Sequence, residues 1–339
     1  MKIKKLDTIR AFAASYVMIA HFGVGVFKGT NYYILFKFAQ EAVMLFFLLS
    51  GFVIYISFIK NPNISFKSYF IKRFRRIYFP VFCTYLISGL IYFKLNNTLD
   101  ISLKQIIGNL LMLQDFSIAK PGVWIEPIFN NGPLWSLSYE WWFYMLFFPI
   151  VKLFPKIKIF SVLIFSSASW ILYLLIPNQV FLIFSYFIIW WSGLEAAKVF
   201  INKKQLNFKN TWHINLSLFL ISLLVSVPIF SLQTEEMRVG FFPLLTFRHF
   251  FSVFIIFNVG LIWYKFKLFG FNKLNFISHL APISYAIYLI HRPIYSLTLS
   301  PYFIIDTISK FILIILLSYI IEVILQPRFN KLLKRIINK

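Results

Sequence analysis

The sequence predicts an all-α polytopic membrane protein with about ten transmembrane helices. Two features of its composition predict this class: 60% of the 339 residues are hydrophobic, and only 13% are charged. A typical soluble domain is about 45–50% apolar and about 25% charged. Aromatic residues make up 21% of the chain, and the mean hydropathy is +0.77. This composition excludes a disordered chain, a collagen-like fibre and a coiled coil, and leaves a soluble two-domain enzyme as a minor alternative.

Apolar segments of roughly 17–25 residues, long enough to cross a hydrocarbon core of about 30 Å, recur along the whole chain. The predicted spans lie at about 7–27, 39–59, 77–95, 133–151, 158–176, 179–199, 214–231, 244–264, 280–299 and 308–327. The first segment follows three lysines, as a signal peptide would. Arg10 interrupts it, however, and no small-residue cleavage site follows, so we predict a retained helix.

The distribution of basic residues predicts the orientation. With ten spans and a cytoplasmic N-terminus, 24 of the 34 Lys and Arg residues fall in inner segments and eight in outer segments. Short cytoplasmic loops carry such an excess of Lys and Arg. We therefore predict that both termini are cytoplasmic. The net charge of +23 is then a topology signal, and no nucleic-acid partner is predicted because the sequence shows no RNP, zinc-finger or helix-turn-helix pattern.

Residues 1–339 are predicted to form a single membrane-embedded domain, with no internal repeat. Its longest connection, about 96–132, lies on the outer side, and the spacing of apolar residues in 100–114 predicts an amphipathic helix along the interface. Cys83 is the only cysteine and cannot form an internal disulfide. Since no Cys/His cluster has metal-ligand spacing, no metal is expected.

Arg10 and His21 are ionisable residues within the first span, where such residues are costly and often functional. Eleven residues correspond to about 1,100° of helix rotation, close to three full turns, and to an axial rise of about 16 Å. Both side chains are therefore predicted on one helix face. The alternative is an arginine that reaches the lipid headgroups and a hydrogen-bonded structural histidine.

A second basic feature is the stretch Lys72-Arg73-Phe74-Arg75-Arg76, just before the third span. One interpretation is a topology signal that also attracts anionic lipid. The other is a phosphate clamp at the cytoplasmic mouth, because arginine makes planar, bidentate contacts to phosphate. The sequence alone leaves both interpretations open.

Five segments together resemble the acyltransferase-3 family of integral-membrane O-acyltransferases. In chain order they are Leu6-Asp7-Thr8-Ile9-Arg10-Ala11 with His21, Phe46-Phe47-Leu48-Leu49-Ser50-Gly51-Phe52, Arg73-Phe74-Arg75-Arg76-Ile77 with Pro80, Leu134-Trp135-Ser136-Leu137-Ser138-Tyr139-Glu140 with Phe143-Tyr144, and Ser284-Tyr285-Ala286-Ile287-Tyr288-Leu289-Ile290-His291 with Pro293. The fit departs at Trp141, where many relatives have a second acidic residue, and at Thr8, where many have glycine. The chain ends at Lys339, so we expect a stand-alone member without an appended extracytoplasmic domain.

The resemblance implies transfer of an acyl group, usually acetyl, from cytoplasmic acyl-CoA to a carbohydrate hydroxyl. Arg10, Arg73 and Arg76 would bind the phosphates of the donor, acetyl-CoA. His21 would act as a general base or accept the acyl group transiently, and Glu140 would orient His21 or fix the acceptor. The residues expected to bind the acceptor are Trp135, Tyr139 and His291.

The expected acceptor is a cell-envelope carbohydrate or lipid-linked glycan, such as O-antigen or capsule, and the expected location is the bacterial cytoplasmic membrane, among membrane lipids. Two other classes remain open at this point. A transporter, flippase or exporter would also have many spans and buried charges. A non-catalytic subunit of a biosynthetic complex would tolerate loss of His21.

Overall fold

A computed structural model of the chain describes residues 4–233, 237–267 and 269–337, which form twelve α-helices and no β-strand. The helices are α1 (Lys4–Val26), α2 (Ala39–Ile59), α3 (Phe66–Asn96), α4 (Leu103–Leu110), α5 (Trp135–Leu153), α6 (Ile159–Leu175), α7 (Gln179–Lys203), α8 (Trp212–Ser226), α9 (Leu244–Lys265), α10 (Ser284–Tyr295), α11 (Phe303–Tyr319) and α12 (Gln326–Ile337). A 3₁₀ segment, Phe271–Ile283, precedes α10, and a π-helical segment, Ile320–Leu325, joins α11 to α12.

Within the described ranges, seven helices are long and apolar enough to cross a membrane, and α6 is a shorter apolar helix. The prediction of an all-α polytopic membrane protein is confirmed. Each of the ten predicted spans coincides with a helix. The number of crossings and the cytoplasmic location of both termini stay predictions.

Besides the short α6, the helices of the fourth and the ninth predicted spans do not meet the length and hydropathy of a simple span. α5 contains Trp, Tyr and Ser at many positions, and α10 has only 12 residues instead of the predicted 20. A 12-residue helix rises about 18 Å, less than the thickness of a hydrocarbon core. Most residues of both helices are buried inside the protein, so other helices rather than lipid surround them.

The third predicted span begins earlier than the sequence suggested. α3 starts at Phe66, where the Ser65 side chain accepts a hydrogen bond from the Ser68 backbone N–H at 3.3 Å. The basic stretch 72–76 therefore lies inside this helix, about two to three turns after its start, and not in a loop. A helix fixes which basic side chains share a face, so Lys72, Arg73 and Arg76 (spacing i, i+1 and i+4) can point to the same side.

Two glycines allow α2 and α7 to pack with their backbones in contact. A Cβ atom at Gly51 would lie 2.0 Å from the Trp190 carbonyl oxygen, and one at Gly193 would lie 1.9 Å from the Leu48 carbonyl oxygen. Both distances are far below any van der Waals contact, so no larger residue fits without moving a helix. α7 is the central helix of the bundle, and 83% of its most apolar 18-residue stretch is buried.

α1 packs against α2, α10 and the 3₁₀ segment Phe271–Ile283. Its alanines Ala11, Ala13 and Ala14 are almost fully buried, and small residues permit such close helix approach. α12 extends from α11 along the start of α3. The C-terminal half of α1 lies beside α10, where His21 meets His291. Near the start of α1, Arg10 lines the same cavity as Lys72 and Arg76 of α3.

Candidate active site

A cavity of about 360 Å³ lies between α1, α2, α3, α5 and α10. Its wall is apolar along α2 and polar where the other helices meet it. The lining residues are Arg10, Val43, Phe46, Phe47, Ser50, Val53, Ile54, Lys72, Arg73, Arg76, Ile77, Ser136, Leu137, Glu140, Tyr144, Ser284, Tyr285 and Tyr288. The α2 residues run from Val43 to Ile54, so the cavity follows about 16 Å of that helix.

Four basic side chains, Arg10, Lys72, Arg73 and Arg76, line one end of this cavity. We call it the basic end. It brings together all three arginines that the sequence analysis assigned to donor binding, although α1 and α3 are separated by a whole helix in the chain. Clustered cations are unfavourable without a counter-charge. The excess of positive charge at this end therefore favours the presence of an anion.

Arg73 is the arginine with the most available hydrogen-bonding capacity. Its guanidinium lies over the rings of Tyr69 and Tyr144, at 5.7 and 5.8 Å from their centroids. Its Nε is buried and has no hydrogen-bond partner. A buried donor without a partner is costly, so a ligand that supplies an acceptor at this position would be stabilised.

Arg76 and Arg10 each have a carboxylate nearby. Arg76 forms a short ion pair with Glu322, in the π-helical segment, and donates to the Gln326 side chain at 3.2 Å. Arg10 lies 3.6 Å from Asp7, one turn earlier on α1. The Arg76 side chain still keeps 43% of its surface exposed, and that surface faces the cavity.

His21 and His291 form a pair at the other end of α1 and α10. His291 Nε2 lies 3.3 Å from His21 Nδ1, and the ring centroids are 5.0 Å apart. His291 Nδ1 lies 3.1 Å from the Ile287 carbonyl, and His21 Nδ1 lies 2.9 Å from the Val17 carbonyl. Carbonyls only accept, so these contacts assign a proton to each Nδ1.

This tautomer assignment has a chemical consequence for His21. With Nδ1 protonated and held by two acceptors, its Nε2 carries the free lone pair. A neutral imidazole with a fixed lone pair is the form needed for a general base near pH 7. Tyr288, which lines the cavity, is in ring contact with His291 at 6.1 Å. The histidine pair thus lies behind the Tyr288 ring, which is part of the cavity wall.

Glu140 is brought to the cavity wall beside α2. The Ser50 hydroxyl donates to its carboxylate at 3.1 Å, and the Tyr144 hydroxyl makes a shorter contact with the same oxygen. Trp190 Nε1 in turn donates to Ser50 at 3.1 Å. These partners differ from the expected one, His21, whose hydrogen bonds go to Val17 and His291.

Trp135 and Tyr139 lie around a buried ion pair and not along the cavity. Lys120, from the loop between α4 and α5, is 2.9 Å from both carboxylate oxygens of Asp115, and its Nζ lies 4.1 Å from the centroid of the Trp135 ring. The Tyr139 hydroxyl donates to Asp115 at 2.6 Å. The other face of Trp135 stacks on His249 at 5.7 Å. This pair and its aromatic neighbours form the sealed cluster.

Several residues of the site were missed or left without a role by the sequence. Ser50 lies in a segment that carried the resemblance, but its hydrogen bond to Glu140 depends on how α2 meets α5. Glu322 was given no role, and its ion pair with Arg76 joins positions 246 residues apart. Lys120 and Asp115 are close in sequence, but apolar residues around them gave no signal that both are buried.

The fold and the site together define a polytopic membrane protein with an internal cavity that four basic side chains line at one end. The chain belongs to the acyltransferase-3 family: the family model, described as an acyltransferase domain, matches residues 3–326. Comparisons with curated proteins and with solved structures find no match. The predicted family is confirmed, and the protein is a membrane acyltransferase with an acyl donor and a hydroxyl-bearing acceptor.

Across the described part of the chain, no group of three or more His, Cys, Asp or Glu side chains is arranged to hold a metal ion.

Proposed function

We propose that the protein transfers an acyl group, most simply acetyl, from acyl-CoA to a hydroxyl of a cell-envelope carbohydrate such as O-antigen or capsule. The observation that carries this proposal is a cavity lined by Arg10, Arg73 and Arg76, whose wall residue Tyr288 is in ring contact with His291, the partner of His21. A phosphate-rich donor with a long thioester arm requires that combination: cations for the phosphates and a base at the far end of the arm.

The donor enters at the basic end. Phosphate oxygens accept charge-assisted hydrogen bonds from Arg10, Arg73 and Arg76, and such bonds are roughly twice as strong as neutral ones. The arm then follows the apolar wall formed by Val43, Phe46 and Ile54 on and near α2. The axial distance from Arg10 to His21, about 16 Å, is close to the length of an extended pantetheine arm.

The chemical step uses His21 Nε2 as the base. The acceptor hydroxyl gives its proton to Nε2 while its oxygen attacks the thioester carbonyl carbon. The C–S bond breaks, and the departing CoA thiolate takes the proton from the imidazolium. His291 acts as a positioning residue, because its Nε2 accepts from His21 Nδ1 and keeps the lone pair of His21 on the other ring nitrogen. Transient acylation of His21 is the alternative route.

Glu140 has a different role in this proposal from the expected orientation of His21. Its carboxylate holds the hydroxyls of Ser50 and Tyr144, and the Tyr144 ring lies under Arg73. Glu140 therefore fixes the position of Tyr144, against whose ring Arg73 packs. In the predicted orientation the basic end faces the cytoplasm of a bacterial cell, and the histidine pair lies in the outer half of the membrane, toward the envelope glycan.

The experiment is transfer of radiolabelled acetyl from acetyl-CoA to envelope glycan in membranes that contain the protein. Wild type should label the glycan, and His21→Ala should reduce the rate by about 10²–10⁴-fold, the typical value of a general base. His213→Ala is the matched control, because His213 lies on α8, away from the cavity. A transporter would move its substrate without labelling it, and unchanged labelling by His21→Ala would remove His21 from the mechanism.

A further inference from the structure

A second groove, also of about 360 Å³, lies between α3 and α12, next to the basic end of the cavity. Lys72 and Arg76 line both the cavity and this groove. The groove adds two further cations, Arg75 and Lys334, and one carboxylate, Glu322. No residue of α12 was assigned a role from the sequence or in the mechanism above.

The contacts between α12 and α3 show that the groove is a built feature of the fold. The Gln326 side-chain amide donates to the Arg75 carbonyl at 3.2 Å, and its oxygen accepts from Arg76 at 3.2 Å. One turn further along, the rings of Phe79 and Phe329 stack at 4.6 Å. These contacts hold the α12 face that carries Asn330 and Lys334 at a fixed distance from Arg75.

Two polar atoms in the groove are buried and have no hydrogen-bond partner: Arg75 Nε, a donor, and Asn330 Oδ1, an acceptor. Buried polar groups are normally paired, and each exception needs an explanation. The groove has more cations than carboxylates, so we expect the missing partner to be an anion. An anion with both acceptor oxygens and a hydroxyl or protonated oxygen would satisfy both atoms.

We infer that this groove binds the terminal phosphomonoester of the acyl donor, the 3′-phosphate on the ribose of acyl-CoA. The inference rests on the proposed function. A phosphomonoester carries about −1.5 to −2 charges at pH 7 and three acceptor oxygens, which Arg75 and Lys334 are placed to bind. The pyrophosphate lies at the junction, where Lys72 and Arg76 face both spaces, and the thioester arm continues into the cavity.

An anionic lipid headgroup offers the same phosphate chemistry. The structure favours the donor, because the groove adjoins the cavity and shares Lys72 and Arg76 with it. A lipid headgroup bound there would place its acyl chains beside the helices and would not enter the cavity.

The experiment measures calorimetric binding of CoA and of dephospho-CoA, which lacks only the 3′-phosphate, to the purified full-length protein. The variants are Arg75→Ala and Lys334→Ala. The matched control is Lys331→Ala, which removes the same charge from α12 but does not line the groove. Wild type should bind CoA more tightly than dephospho-CoA. Each groove variant should weaken CoA binding about tenfold, as expected for one charge-assisted contact, and leave dephospho-CoA binding unchanged.

Equal affinity of wild type for the two ligands would overturn the inference, and so would a loss of affinity for both ligands in the groove variants. Either result would leave the proposed function intact. No binding of CoA to wild type would contradict the proposed function itself. The lipid source is tested by repeating the measurements in nanodiscs of neutral and of anionic lipid. If the variants lose only anionic-lipid binding, the groove is a lipid site and the inference is wrong.

Discussion

The ion pairs Lys120–Asp115 and Arg76–Glu322 both have a buried carboxylate, but they differ in what surrounds the cation. In the sealed cluster, the side chains of Asp115 and Lys120 are 0% and 2% exposed. At the basic end, the Glu322 side chain is 1% exposed, whereas its partner Arg76 is 43% exposed. The same chemistry therefore occurs once in a closed aromatic environment and once beside the cavity and the groove, both of which Arg76 lines.

The sealed cluster has its polar groups largely satisfied within the protein. Lys120 contacts both oxygens of Asp115, the Tyr139 hydroxyl donates to one of them, and the ammonium lies over the rings of Trp135 and Tyr139. Burial lowers the pKa of the Lys120 ammonium, and the Asp115 carboxylate opposes that shift. Because both residues belong to the long loop after α3, the cluster fixes that loop on α5.

Around the ion pair at the basic end, some hydrogen-bonding groups have no partner within the protein. Arg76 shares its guanidinium between Glu322 and Gln326, and the neighbouring Arg73 Nε has no partner. The comparison teaches that burial of a carboxylate does not by itself indicate function. The exposure of its cationic partner to a cavity separates a structural ion pair from one that can exchange its partner for a ligand.

The largest expected effect is on the sealed cluster. Asp115→Asn leaves the Lys120 ammonium buried and unpaired, and breaking a buried pair in this way costs about 3–5 kcal/mol. We expect a clearly lower midpoint of thermal unfolding for the purified protein in detergent. The double variant Asp115→Asn/Lys120→Met should recover part of the loss, because it removes both charges. An unchanged midpoint for the single variant would show that the cluster is not sealed.

The next effect is on donor binding at Arg73. Arg73→Ala removes one charge-assisted contact, worth about 1.5–3 kcal/mol, and should raise the KM for acyl-CoA roughly 10–150-fold. Thermal unfolding should stay near that of wild type, which distinguishes this site from the sealed cluster. Arg73→Lys should rescue binding only in part, because an ammonium cannot make bidentate contacts. A KM equal to that of wild type would contradict the phosphate-clamp interpretation of the stretch 72–76 and favour the topology signal.

A smaller effect is expected at His291, which holds His21 by one hydrogen bond. His291→Leu should lower kcat by roughly 2- to 13-fold, the equivalent of about 0.5–1.5 kcal/mol, and leave the KM for acyl-CoA unchanged. His291→Gln should restore much of the rate, since a glutamine oxygen can accept from His21 Nδ1. If Gln and Leu lower kcat equally, the role of His291 is packing and not orientation.

The substitution with the smallest expected effect is of the same chemical type as the one with the largest. Glu322→Gln is the same carboxylate-to-amide change as Asp115→Asn, but Arg76 remains exposed to the cavity and keeps its bond to Gln326. We expect a stability change within about 1 kcal/mol, the size typical of a partly exposed pair, measured by thermal unfolding side by side with Asp115→Asn. A loss as large as that of Asp115→Asn would remove the contrast between the two pairs.

The sequence predicted much of this architecture because lipid imposes strict rules on composition. Segments such as α2, α9 and α11 face lipid along part of their surface, so their length and apolar content could be recognised directly. The interior helices α5 and α10 were predicted with less accurate bounds. Their surroundings are other helices, which accept Ser, Tyr, Trp and His, so hydropathy does not define where they begin and end.

Local spacing also predicted which residues share a face. The separation of Arg10 and His21 by three turns placed them on one side of α1, and the cavity and the histidine pair lie on that side. The sequence could not predict that Glu140 contacts Ser50 and Tyr144, or that Trp135 and Tyr139 enclose Lys120. Those contacts depend on helix crossings, and no local pattern encodes them.

The sequence by itself determined the class of protein and the family, because each follows from composition or from short motifs with a fixed spacing. Only the tertiary structure determined which side chains distant in the sequence contact one another. It brought His291 to His21 across 270 positions and Glu322 to Arg76 across 246. The physical reason is that close packing between helices, through small residues such as Gly51 and Gly193, sets which distant side chains meet, and packing is a property of surfaces that form only after the helices assemble.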